Sequence, residues 1–182
     1  MITDSKKVLV RMNFKNDDIY DFKRVPSEDD AEDYDDEYDE DTVDEPGELD
    51  IDGDDTAKNG TNVVTEGYLY KKDGRVVLRY AEADSTDLAN ELTVLSYELG
   101  KPGILTMERN GICRTVMVFE EGKRYISMYS VGAMSMELTI RTYELENTLT
   151  LENGGAVRLG YTLENGGSTV SSVKMLINIE LL

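Results

Sequence analysis

VVTEGYLYKKDGRVVLRY, residues 63–80, is the stretch on which the fold turns. Asp73-Gly74 separates the apolar-rich run Val63 to Tyr70 from a second run in which Val76, Leu78 and Tyr80 alternate with Val77, Arg79 and Ala81. Both central residues of a two-residue hairpin need positive φ, and an Asp-Gly pair reaches it at low cost. The stretch therefore reads as two antiparallel strands joined by a tight turn.

The same grammar continues on either side. Lys7 to Phe14 sets Val8, Val10, Met12 and Phe14 on one parity, a first strand. Downstream, Glu91 to Glu98, Ile104 to Arg109, Ile112 to Phe119, Arg124 to Val131 and Met134 to Leu145 are short strand-like runs. Asn110-Gly111, Gly122 and Gly132 supply residues tolerant of reversal between them. Asp84 to Asn90 is consistent with a short helical turn. Thr-Leu-Glu-Asn-Gly-Gly occurs at 150–155 and again at 162–167, marking two successive turns around a strand that carries Val157, Leu159, Tyr161 and Leu163 on one parity. Met175, Ile177, Ile179 and Leu181 close the chain in the same way.

Hairpin-to-hairpin order with no long amphipathic helix makes an all-β antiparallel meander. A sheet of about 8–10 strands must fold over or close to remove its edges, and this order favours an up-and-down barrel. The expected domain comprises residues 1–16 and 62–182, interrupted by residues 17–61.

That interruption carries the charge. EDDAEDYDDEYDEDTVDE, residues 28–45, holds thirteen carboxylates and no basic residue. Between Asp17 and Asp55 there are 21 acids against Lys23 and Arg24, which accounts for the whole net charge of −19; the rest of the chain is balanced. A segment so poor in apolar residues buries too little to offset its chain entropy, so it reads as a disordered acidic insertion after the first strand. Lengthening a loop from about 5 to about 40 residues adds roughly 1.8 kcal/mol of closure entropy. Replacing Asp17 to Asn59 by a short Gly-Ser linker should therefore leave a cooperative thermal transition; its loss would refute the tether reading.

Several residues in order resemble the YwiB-like small bacterial proteins, a family of unknown function. They are Glu66-Gly67, Lys72-Asp73-Gly74, Tyr80, Glu82, Thr93, Met107, Arg109, Gly111, Met117 to Lys123, Tyr129, Gly132, Thr142, Gly154-Gly155, Tyr161-Thr162-Leu163 and Met175-Leu176-Ile177. The resemblance implies a calycin-like or lipocalin-like barrel. It implies no established activity or catalytic residue.

Composition removes several chemistries. The chain has no histidine and one cysteine, Cys113, so an intrachain disulfide and a histidine-activated Ser171, Ser172 or Cys113 are excluded. Cys113 reads as a small core residue, and the thiol frequency fits a reducing cytosol. No apolar run approaches a membrane span of about 20 residues. A cytoplasmic protein without cofactor is expected. No basic patch suggests nucleic-acid binding.

Glu66, Glu82, Glu108 and Glu137 lie on different strands and read as solvated strand-face acids rather than a catalytic pair. Asp50, Asp52 and Asp54 have the first spacings of a calcium loop, but Asp55 and Thr61 stand where its glycine and glutamate belong, so no metal site is expected.

Tyr80, Glu82, Arg109, Tyr129 and Tyr161 are the candidate ligand-binding residues, either inside the barrel or at its rim. A two-residue Asn110-Gly111 turn puts Arg109 opposite Ile112 and Met117 and Phe119 on the other face; one slip reverses every inside assignment. Two functions remain open. One is binding of a small apolar or amphipathic ligand without catalysis. The other is a protein-interaction module with a solid barrel, whose acidic segment, with Tyr34 and Tyr38, recruits a basic partner.

Overall fold

The computed structural model describes residues 2–18, 61–82 and 91–182, which form ten strands. In chain order they are β1 (Ile2–Asp18), β2 (Thr61–Lys72), β3 (Arg75–Ala81), β4 (Leu92–Glu98), β5 (Leu105–Asn110), β6 (Cys113–Phe119), β7 (Arg124–Val131), β8 (Met134–Asn147), β9 (Gly155–Asn165) and β10 (Ser168–Leu181). Each pairs antiparallel with its sequence neighbours, and β1 pairs with β10 to close the barrel. The expected all-β, up-and-down closed barrel is the observed one. No helix of the described residues is long and apolar enough to cross a membrane.

The Asp73-Gly74 hairpin forms as expected. Lys72 faces Arg75, and both turn residues have positive φ, 49° and 78°. Strand β1 runs two residues past the expected Asn16 boundary, because Asp17 and Asp18 pair with Ser172 and Ser171 of the long β10; β2 begins one residue early, at Thr61. The remaining acidic stretch, with Tyr34, Tyr38 and Asp50 to Asp54, lies outside the described residues, as does the Asp84 to Asn90 turn.

One parity of every strand lines the interior. Val8, Val10, Leu69, Leu78, Leu95, Leu105, Met107, Phe119, Ile140, Leu159 and Ile177 are fully or almost fully buried in one cluster. Each such Leu, Ile or Phe contributes about 2 kcal/mol by leaving water. Phe119 packs against Tyr161 with ring centroids 4.9 Å apart. Side chains fill this part of the barrel.

The register of the β5–β6 hairpin differs from a two-residue turn. Asn110 pairs with Arg114 and Arg109 with Thr115, leaving a three-residue loop, Gly111 to Cys113. The odd residue shifts the parity, so Arg109 and Met107 share the inner face with Met117 and Phe119 instead of opposing them. Ile112 stands at the loop tip and is exposed.

The two barrel ends are unlike. At one end, the β8–β9 connection folds inward: Leu149 is buried, Leu151 packs on the core, and the Tyr97 hydroxyl donates to the Leu149 carbonyl. At the other end, the β5–β6, β7–β8 and β9–β10 connections gather, together with the end of β3, the start of β4, the end of β1 and the start of β2. The polar interior residues lie toward this second end.

Candidate functional site

Tyr80 is the last inward residue of β3, and Glu82 follows it on the same parity. Across the ladder, Tyr80 faces Thr93 of β4, which faces Arg109 of β5, which faces Thr115 of β6, which faces Tyr129 of β7. This run of pairs is one row around the inner wall. Tyr161 enters from β9, between Thr142 and Val173. All five residues singled out from the sequence therefore converge on the interior near one mouth.

Arg109 holds the centre. Its side chain is 16% exposed, and its Nε lies 3.8 Å from Glu82 Oε1, an ion pair too long for a hydrogen bond. That buried Nε has no hydrogen-bond partner among the described residues. Burial pulls the guanidinium's pKa down, but the fields of Tyr161, Glu82 and Tyr80 outweigh it and the net shift is upward, so Arg109 keeps its charge.

Glu82 is only 7% exposed. The expectation that all four strand acids are solvated holds for Glu66, Glu108 and Glu137 but fails here. Glu82 continues the inward parity of Val76, Leu78 and Tyr80, and its charge is met by Arg109 and by the Thr93 hydroxyl, which donates to Oε1 at 2.6 Å.

Sequence reasoning missed Glu91, which is also 7% exposed. Its Oε1 accepts the Cys113 backbone N–H at 2.9 Å, while its Oε2 is buried without a partner among the described residues. The signal lies in Gly111: a Cβ there would come within 2.8 Å of the Glu91 carboxyl carbon, so the glycine makes room for the acid. Cys113 is buried, as expected, on the strand next to Tyr129. Thr115 and Ser127 share a hydrogen bond of 2.9 Å beneath them.

The site thus offers one arginine with unused donors, two buried carboxyl groups and three phenols. Phe14 and Leu163, partly buried against the core, stand on strands that border the same end.

Burial and the Cys113 thiol push the Tyr129 phenol up to about 12, and burial raises Tyr80 and Tyr161 as well. A phenol raised above its ordinary value of 10 stabilises the fold fully below pH 10; the contribution is lost as pH rises through the folded value. These phenols add no pH dependence below pH 10, and the thermal midpoint should fall as the pH rises from 10 through about 12. Spectroscopic titration should show phenols ionising late in the folded protein and at the ordinary value in urea.

A profile of the family "Domain of unknown function (DUF1934)" matches residues 47–177. The chain belongs to the DUF1934 family. The YwiB-like resemblance read from the sequence is borne out. The DUF1934 fold seen here is similar to the crystal structure of the ywiB protein from Bacillus subtilis, with a TM-score of 0.66 at 16% identity over 100% of this chain and 95% of that one. At that identity the likeness shows the fold alone. No curated protein matches this DUF1934 chain.

Proposed function

We propose that the barrel is a non-catalytic binding module that takes a small amphipathic ligand at its polar mouth, with the ligand's head against Arg109. The observation that carries this reading is the buried Arg109 Nε, which among the described residues has no hydrogen-bond partner and is met by a long contact to Glu82. Desolvating a guanidinium without using its donors is costly, and a ligand acceptor would recover that cost. Native mass spectrometry of the freshly purified full chain tests it. A bound small molecule, lost in an Arg109→Gln variant, is expected; a clean apo mass for the unmodified protein would overturn ligand carriage.

A second reading, a cytoplasmic protein-interaction module whose acidic segment recruits a basic partner, is favoured by the filled lower interior, with Leu69, Met107, Phe119 and Ile177 fully buried. Attraction of this kind acts over about 8 Å at physiological ionic strength, so capture of a basic protein should weaken steeply with added salt. Retention unchanged by salt would sink it.

A further inference from the structure

The outer face of β6 and β7 is unlike the rest of the barrel wall. Val116, Ile126 and Met128 are 54%, 68% and 55% exposed, and Val118 stands partly exposed beside them. The register between these strands covers three residue pairs, Cys113 to Thr115 against Val131 to Tyr129; beyond it the Ser127 hydroxyl bonds the Val116 carbonyl. Strand β7 contributes no residue to the buried hydrophobic cluster. Its large apolar side chains, Ile126 and Met128, face outward instead.

Charges frame this patch in a definite pattern. Glu108 of β5 pairs across from Val116, and Glu137 of β8 across from Met128, so an acid flanks the apolar centre on each side. Along the strands Arg114 stands toward one end and Arg124 beside Arg141 toward the other, where the β6–β7 turn adds Lys123 but also Glu120 and Glu121 and leaves a net positive charge. Glu108, Glu137, Arg114 and Arg141 are exposed and form no ion pair among the described residues; Arg124 reaches Glu164 at 3.5 Å on the surface. Two arginines directly across a ladder are unfavourable in an isolated sheet, which suits a surface that something else covers.

A face negative at its sides and positive at its ends is complementary to itself after a quarter turn. The acids are three strand spacings apart, about 14 Å along the curved wall, and the level of Arg114 lies six residues from Arg124 along the strand, about 20 Å. A second copy laid face to face with its strands crossing at near right angles brings each copy's arginines over the other's glutamates. That crossing is one of the two ordinary ways sheets pack, and a twofold axis lying in the interface generates it. We propose that the β6–β7 face is a homodimer interface of this kind, with Ile126 and Met128 at its centre.

Sedimentation velocity on the full chain, from low micromolar to several hundred micromolar, tests this at an ionic strength near 0.15 M, where repulsion between acidic segments is screened beyond about 8 Å. A monomer–dimer equilibrium is expected. Ile126→Asp and Met128→Asp, both on exposed positions, should weaken it about ten-fold or more each without changing the thermal midpoint. The chain with Glu108→Arg and Glu137→Arg and the chain with Arg114→Glu and Arg124→Glu should each be monomeric, and their mixture should form a one-to-one heterodimer. Several outcomes would overturn the interface: a wild-type chain monomeric throughout, a dimer indifferent to the apolar substitutions, or a mixture that fails to associate. The first would leave the patch to a different protein.

Discussion

Alanine at position 154 is expected to lower the unfolding free energy by about 3 kcal/mol or more, through backbone strain plus a steric clash. Gly154 has a φ of +70°, and a Cβ there would overlap the Ile179 carbonyl oxygen. That oxygen cannot step aside as a flexible side chain would, because Ile179 is paired with Val10 on one side and Gly155 on the other. Gly74 supplies the control: its φ is +78°, with nothing near the Cβ position. Gly74→Ala should cost only about 1 kcal/mol, the strain alone. Urea denaturation of both variants separates the two causes; equal midpoints would show that the closed end yields to accommodate the methyl.

Arg109→Met should be nearly as damaging. It removes the cation facing Glu82, and breaking a buried ion pair from one side costs about 3–5 kcal/mol because the remaining charge is stranded. Thr93 still donates to Glu82, which puts the expectation at the lower end, about 3 kcal/mol. Adding Glu82→Gln in the same chain removes the stranded charge and should restore most of the loss, since pairs replaced together are often close to neutral. The double-mutant cycle is read from urea midpoints, and additivity would show that the 3.8 Å contact carries no coupling. The double variant also separates fold from binding: it should fold yet retain no ligand.

How much of this was legible depends on which physical rule governs each element. The Asp73-Gly74 hairpin could be read outright because turn chemistry and alternation agree there. Tyr80, Glu82, Arg109, Tyr129 and Tyr161 could be picked out as polar residues within strands, but not as a cluster. The place of Tyr129 relative to Arg109 hangs on one loop length at Gly111 to Cys113, and a three-residue loop differs from a two-residue one by a whole face. The burial of Glu82 follows from the inward parity of β3 together with Arg109, a partner 27 positions away. Glu91 precedes its strand and belongs to no alternating pattern; its burial comes from the space Gly111 leaves, which only the folded chain displays. The unpaired charges around Val116 and Met128 were invisible for the same reason, since they are defined across four strands.

The pairing of β1 with β10, eleven residue pairs from Val8 to Asp18, has a consequence for how the chain reaches this state. During synthesis, β1 emerges first and its β10 partner last. Its other neighbour, β2, follows only after 42 intervening residues. Neither pairing is local, so β1 gains little until almost the entire chain is available. The high contact order of such closure places folding in the slow class, about milliseconds to seconds. The β2–β9 meander can assemble hairpin by hairpin, with β1 docking late beside β10 as the last stave.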